Sequence, residues 1–402
     1  MRILIADSLP ADHVDRLRDA GLDVVDRPDL TADAISDHLD GVDVLVVRST
    51  RVTDATLEAG DRLGLVVRSG AGVNTIDVEA AAARGIHVCN VPGMNAVAVA
   101  ELTIGLLTAL DRGIPDNVAE LRDGRWDKKR FSSARGLKGR TLAIIGLGAI
   151  GLAVAKRASA FEMDVLAEAR PGRDAATLAA ADEAGVTFVD SRADLLGRAD
   201  VVSLHVPLTD GTRGMVDADF LAQCRDGAWL LNTSRGEVVD GEALLTALDE
   251  RGMRAGLDVF PGEPSDKQCD WSSELARHPA VYGTHHIGAS TAQAQDATAG
   301  ATVDLILDAA RGQIRNCVNL ESEPVGTCSL TVRHRDRVGV LSEVLGVLRS
   351  ADVNIGQMEN RVFAGSEAAV ATMVCEQAVT AEVADRIRAV DHVLGVRVHL
   401  DS

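Results

Sequence analysis

Residues 141–160 read TLAIIGLGAIGLAVAKRASA: an apolar run of strand type, then glycines spaced GxGxxG, then a helix-forming stretch. No other segment constrains the fold as tightly. A strand that turns into a helix within a few residues needs backbone free of side chains at the turn. The helix that follows aims its first N–H groups and the positive end of its dipole at whatever lies beyond the strand. Gly146, Gly148 and Gly151, with Ala149 and Ile150 between them, therefore read as a cradle for the pyrophosphate of a dinucleotide.

The rest of the chain agrees with a parallel α/β sheet. RILIAD, LDVV, DVLVVR, LGLVVRSG and IHVCNVP alternate with helical patterns over the first 92 residues, and a long helix is expected from 96 to 110. A second array runs through TLAII, MDVLAEAR, ADVVSLHVPL, GAWLLNTSRG, RAGLDVF and AVYGTHHIG. Short β-branched runs alternating with helices imply parallel strands, and ligands of such sheets bind at the carboxyl ends of the strands. His205 and Pro207, Thr233, Ser234 and Arg235, Asp258 and Glu263, and His286 should therefore line one cleft. A helix follows Ala292, and ESEPVGT reads as a linker. The last 76 residues change to a βαββαβ order, the pattern of a small ferredoxin-like domain.

Composition narrows the partners. A formal charge of −19 argues against nucleic acid or an anionic membrane, which both demand a basic surface. Aromatic residues are only 2% of a chain that is 46% hydrophobic, so the cores must be built from Ala, Val, Leu and Ile. The six cysteines (89, 224, 269, 317, 328, 375) show no metal-ligand spacing and no disulfide framework, and reduced thiols are expected. The N-terminal MRILIAD lacks a basic region followed by an apolar signal core, and the most apolar long segment, 94–110, is interrupted by Asn95 and Glu101. A cytoplasmic protein without a metal centre is expected.

An acid that accepts the adenosine ribose hydroxyls is expected about 18 residues beyond the last glycine of the loop. That position is Ala169, flanked by Glu168 and Arg170, with Arg173 close by. The arginines suit a 2′-phosphate, so the residues alone leave NAD and NADP both open.

RSGAGVNTID (68–77), VAELTIGLL (99–107), GLGAIG (146–151), LLNTSRGEVVDGEALLTAL (230–248), AGLDVFPGEP (255–264) and THHIGAST (284–291) resemble, in order and spacing, the D-2-hydroxyacid dehydrogenase family across the first 316 residues. RHRDRVGVLSEVLGVLRSADVNI resembles an ACT regulatory domain. The resemblance implies two Rossmann-like doubly wound domains and an ACT tail. The expected division is a substrate domain of residues 1–92 with 287–316, a nucleotide domain of 93–286, a linker of 317–326, and the ACT domain of 327–402. For a member with such a tail it also implies NAD-dependent oxidation of 3-phospho-D-glycerate, the first step of L-serine biosynthesis, in a homodimer or homotetramer.

That chemistry needs a base for the hydroxyl proton, a cation for the carboxylate and a nicotinamide beside C2. By resemblance His286 is the acid/base, Glu263 its partner and Arg235 the substrate clamp. Asp258 faces the nicotinamide carboxamide, and Gly288 joins the cofactor residues. Arg48, Ser69, Gly70, Ala71 and Asn74 hold the substrate anion, with Arg51 a further phosphate candidate. In the tail, His334, Asp336 and Asn354 match serine-binding positions, although Asp336 stands where Asn is frequent and brings a negative charge toward a ligand carboxylate. Two other functions remain open: a glyoxylate or hydroxypyruvate reductase using NADPH, and a dinucleotide-sensing corepressor-like protein. Of the neighbouring His285 and His286, an extended strand end would turn only one into the cleft, so a shared metal is not expected.

Overall fold

The computed structural model describes residues 1–264, 268–321 and 325–400, and it divides into two compact units, Met1–Val318 and Asn319–Ser402. Residues 322–324 of the expected linker and the last two residues of the expected tail domain lie outside the described residues.

The first unit contains two parallel sheets. One is built from β1 (Arg2–Ile5), β2 (Asp23–Asp26), β3 (Val44–Val47), β4 (Leu65–Arg68) and β5 (His87–Asn90), in the order β2-β1-β3-β4-β5. Helix α1 (Ala11–Asp19) follows β1, and α2 (Ala96–Arg112) leads to the second sheet. That sheet has seven strands: β6 (Thr141–Ile145), β7 (Asp164–Glu168), β8 (Val186–Val189), β9 (Val201–Leu204), β10 (Trp229–Asn232), β11 (Arg254–Leu257) and β12 (Val281–Gly283). Their order is β12-β11-β10-β9-β6-β7-β8, and α3 (Ala149–Ala160) follows β6. The chain then returns to the first sheet through α4 (Ala292–Ala309).

Burial explains why the central strands lack alternation. Every residue of VLVV in β3, VVSL in β9 and WLLN in β10 is buried, because helices cover both faces of each sheet. On one face of the first sheet, Ile3 and Ile5 pack with Val14 and Leu17 of α1 and with Val303 and Ile306 of α4, so a helix nearly 300 residues away completes that core. Behind the second sheet, Ile104, Leu107 and Leu110 of α2 meet Val154, Ala155 and Ala158 of α3, and small side chains let the two helices approach closely. The strand order reverses between β9 and β6, which opens a crevice at their carboxyl ends.

Two details differ from the sequence reading. VTFV forms the edge strand β8, where four residues behind an alanine-rich helix offer too little pattern to register. Strand β12 stops at Gly283, so the two histidines lie in a bend, and His286 takes a left-handed backbone with φ of 51°. They are not an extended strand end.

The second unit is a four-stranded antiparallel sheet of β13 (Cys328–Arg335), β14 (Ile355–Val362), β15 (Ala368–Cys375) and β16 (Val393–Leu400), in the order β14-β15-β13-β16. Helices α5 (Val340–Ser350) and α6 (Ala381–Arg388) supply Val344, Leu348 and Ile387 to a core shared with Leu330, Val332 and Met373. Among the described residues no helix is long and apolar enough to cross a membrane.

Candidate active site

The crevice between β6 and β9 is lined by backbone. Gly146 turns with φ of 102°, and a Cβ there would collide with the His205 carbonyl beyond the end of β9. A Cβ on Gly151 would collide with the Gly146 carbonyl, so α3 sits directly on the loop. Gly148 precedes α3, Ala149 and Ile150 form its first turn, and nothing lies within 4 Å of a Cβ built on Gly148. His205 is half-buried, and loss of solvent around its ring pushes the imidazole down to about 3 and keeps it neutral. Its Nε2 meets Ser203 Oγ at 2.8 Å, while its buried Nδ1 has no hydrogen-bond partner among the described residues. A glycine cradle backed by a residue with an orphaned ring nitrogen fits a bound dinucleotide. Pro207 is exposed nearby, its carbonyl accepting from Thr212 Oγ1 at 2.6 Å. Thr233 Oγ1 meets Thr103 Oγ1 of α2 at 2.9 Å and fixes the end of β10.

A cleft of about 260 Å³ continues from this loop, lined by Gly146, Leu147, Glu168, Arg170 and Arg173 among others. Ala169 brings no carboxylate, and the nearest one stands a residue earlier, on Glu168 at the end of β7. Arg170 Nη2 lies 3.4 Å from Glu168 Oε2 and Arg192 Nε 3.9 Å from it, and Arg173 Nη1 donates to the Glu168 carbonyl at 2.9 Å. Ala169 continues the ladder, its N–H donating to Val189 O at 2.8 Å.

Across the crevice, His286 Nδ1 meets Glu263 Oε1 at 2.5 Å, and the Phe260 N–H donates to Glu263 Oε2 at 3.0 Å. The bond to Glu263 raises the His286 pKa, against the opposing effect of burial. Burial works to raise the Glu263 pKa, but the bonds from His286 and the Phe260 N–H outweigh it and hold the carboxyl below its usual range. The bend that carries His286 is tied to buried Asp258. Oδ1 of Asp258 accepts from Thr284 Oγ1 at 2.6 Å and the Ile287 N–H at 2.9 Å, and Oδ2 accepts from the Gly288 N–H at 2.8 Å. Asp258 thus anchors the histidine bend as well as standing at the end of β11. His285 is exposed, and its N–H takes no part in the backbone bonds that flank it, from Thr284 to Leu257 O and from His286 to Asp258 O.

Arg235 follows buried Ser234, whose N–H and Oγ donate to Asn232 Oδ1 at 3.0 and 2.7 Å. A Cβ on Gly236 would collide with the Phe260 carbonyl, and this close approach sets Arg235 beside the Glu263 segment. The guanidinium of Arg235 reaches the first sheet. A Cβ on Gly72 would stand 2.9 Å from Arg235 Nη2 and 3.3 Å from Asn74 Oδ1.

One residue that opens the motif RSGAGVNTID, but is not among the expected site residues, completes the cluster. Arg68, at the end of β4, lies over Gly70, where its guanidinium fills the space a Cβ would need. Burial lowers its pKa, and Arg235 and Arg48 lower it further, with only Asp7 opposing. Its buried Nε has no hydrogen-bond partner among the described residues. Asp7 in turn accepts N–H bonds from Arg48, Ser49 and Thr50 at 2.7, 3.1 and 3.0 Å. Burial works to raise the Asp7 pKa, but those bonds hold it down. The sequence signals for Arg68 are its place at the head of RSGAGVNTID and a cation at a strand end, the position that Arg48 also occupies. Ser69 Oγ accepts from Thr302 of α4 at 3.0 Å, and Ala71 O accepts from Asn90 Nδ2 at 2.5 Å, so the loop is braced from both sides. Asn74 and Arg51 are exposed.

In the second unit the fold does not gather the three residues proposed for an effector. His334 is buried, with Nδ1 at 2.8 Å from Arg335 O and Nε2 at 3.2 Å from Asn360 Oδ1. Asp336 follows β13. Asn354 precedes β14 and bonds Glu376 and Gln377 near the end of β15. The register pairs Cys328 and Ile355 with Cys375, but His334 and Val362 with Ala369, so Asn354 lies a strand length, about 20 Å, from His334.

This geometry suits hydride exchange between a dinucleotide and a small hydroxy acid. Residues 104–288 match the family described as D-isomer specific 2-hydroxyacid dehydrogenase, NAD binding domain. The chain is 37% identical over 371 residues to the D-3-phosphoglycerate dehydrogenase of Methanocaldococcus jannaschii, across 89% of this chain and 67% of that protein. It is 41% identical over 270 residues to the hydroxypyruvate reductase of Thermotoga maritima, across 66% of this chain and 84% of that one. A crystal structure of a Thermus thermophilus protein matches with a TM-score of 0.69 at 34% identity, over 79% of this chain and 100% of that one. The chain belongs to the D-isomer-specific 2-hydroxyacid dehydrogenases, and NAD is the cofactor of its nucleotide domain. It spans 67% of the length of the archaeal phosphoglycerate dehydrogenase and 63% of that of its Rattus norvegicus counterpart.

Replacing Asp258 by Asn puts an NH2 group against N–H donors. The variant should lose about 1.5–3 kcal/mol of stability, read from urea denaturation.

Proposed function

We propose that the chain oxidises 3-phospho-D-glycerate to 3-phosphohydroxypyruvate with NAD, the first step of L-serine biosynthesis, as a cytoplasmic enzyme. The convergence of Arg48, Arg68 and Arg235 beside His286 carries this reading. A substrate with only a carboxylate needs one guanidinium clamp, whereas three guanidiniums suit an acid with a second anionic group. The phosphoglycerate dehydrogenase relatives support the same substrate.

In this mechanism Arg235 binds the substrate carboxylate, and Arg68 and Arg48 hold the phosphate against the Ser69–Gly72 loop. His286 takes the C2 hydroxyl proton on Nε2, because its Nδ1 is engaged by Glu263. Bound NAD supplies the hydride acceptor, held over the Gly146–Gly151 cradle. Glu168, which lines the cleft beside the cradle, would accept from the ribose diol, and this supports NAD over NADP.

A hydroxypyruvate or glyoxylate reductase using NADPH is the second reading, favoured by the arginines around Glu168 and by the Thermotoga relative. We read the second unit as an ACT domain from its βαββαβ order. Pairing of two copies would form the homodimer or homotetramer, and only across such a pair would Asn354 of one chain meet His334 and Asp336 of the other around L-serine.

Initial rates with NADH and NADPH on phosphohydroxypyruvate, hydroxypyruvate and glyoxylate decide between the two reductions. NADH with phosphohydroxypyruvate should give the highest kcat/KM, and a preference for glyoxylate with NADPH would overturn the proposal. His286→Ala should lose turnover and retain NAD binding.

Oxidation requires neutral imidazole, and Glu263 raises the His286 pKa, so activity should rise with pH along a limb above the ordinary histidine range. Glu263→Gln should move that limb to lower pH in a kcat/KM profile. An unmoved limb would show that another group titrates.

A further inference from the structure

The six cysteines look scattered in the sequence, yet four of them stand in two cross-strand pairs. Cys328 of β13 lies opposite Cys375 of β15, and Cys89 of β5 lies opposite Cys317 in an isolated antiparallel bridge. The second pair is flanked by the bonds from Val318 N–H to Val88 O at 2.8 Å and from Asn90 N–H to Asn316 O at 3.2 Å. Backbone bonds that join the flanking residues in this pattern define a non-hydrogen-bonded pair. Such residues bring their Cα atoms to about 4.5 Å, with side chains on one face. A disulfide needs about 4.4–6.8 Å, so this backbone accommodates one.

We propose that Cys89 and Cys317 form a dithiol–disulfide site that a hydroperoxide oxidises to an intrachain cross-link. Cys89 is fully buried and Cys317 is partly exposed, so oxidant reaches Cys317 first. Burial, and then the neighbouring Cys317 sulfur, push the Cys89 thiol up to about 12, which holds its proton until the second step. The Cys317 sulfur attacks an oxygen of hydrogen peroxide, the O–O bond breaks, and the departing hydroxide takes the Cys317 thiol proton, leaving a sulfenic acid and one water. Cys89 sulfur then attacks Cys317 sulfur. The S–O bond breaks, and the departing hydroxide takes the Cys89 proton to become a second water. Two thiols lose two electrons and two protons, and the peroxide is reduced. The cross-link would brace the end of β5, where Asn90 Nδ2 and Val91 N–H hold the carbonyls of Ala71 and Gly70. Cys328 and Cys375 are both sealed at 0% exposure and serve as an internal contrast.

The test uses the full chain carrying Cys269→Ser, because exposed Cys269 would otherwise form links between molecules. The folded protein is treated with equimolar hydrogen peroxide, alkylated, digested without reductant and mapped by mass spectrometry. The expected product is a peptide joining Cys89 to Cys317 in most molecules, with Cys328 and Cys375 still thiols and no cross-link when Cys317→Ser is added. Sulfinic acid on Cys317 without the link, both thiols unchanged, or oxidation of Cys328–Cys375 ahead of Cys89–Cys317 would overturn the proposal.

Discussion

Three guanidiniums held together against their own repulsion are the constraint on which the site depends. Arg48 and Arg68 come from neighbouring strand ends of the first sheet, and Arg235 arrives from the second. Burial and like charge both disfavour the charge on Arg68, and such an arrangement persists only where the surrounding backbone leaves the side chains no retreat. Asp7 fastens the Arg48 loop, Asn90 and Thr302 brace the loop after Arg68, and Gly70 and Gly72 leave room for the guanidiniums. The scaffold concentrates positive potential in a protein whose total charge is −19. Anionic substrate meets a local field opposite in sign to that of the whole molecule.

The second lobe meets this field with close backbone approaches. Gly146 against His205, Gly151 against Gly146 and Gly236 against Phe260 each exclude even a methyl group. The first two shape the cradle where the strand order reverses. The third aligns Arg235 with the segment that carries Glu263. Asp258 then draws the bend after β12 inward through two backbone N–H groups and a hydroxyl, so His286 reaches Glu263 from a left-handed conformation. The His286–Glu263 pair is a product of backbone placement before it is a product of side-chain chemistry.

Much of this is legible in the residues. The glycine loop and the ends of β9, β10 and β11 are local patterns, and they announce the crevice together with Arg235, Glu263 and His286. What escapes depends on placement that no local pattern encodes. Arg68 is one cation among many until Arg48 and Arg235 are set beside it. Glu168 rather than Ala169 lines the cleft because the strand's last residue, not a count from the glycines, decides which side chain enters it. The bend at His286 follows from the reach of Asp258, and the pairing of Cys89 with Cys317 from a return of the chain over more than 200 residues.

The central claim is that the arginine cluster exists to hold a second anionic group. Thermal unfolding of the NAD-bound protein with 3-phosphoglycerate and with D-glycerate tests it most directly, since at equal concentration the tighter ligand stabilises the folded state more. The phosphorylated acid should raise Tm well above the value reached with D-glycerate at equal concentration, and Arg68→Ala should remove most of that difference. Equal shifts with both acids, or an undiminished difference in Arg68→Ala, would contradict the account.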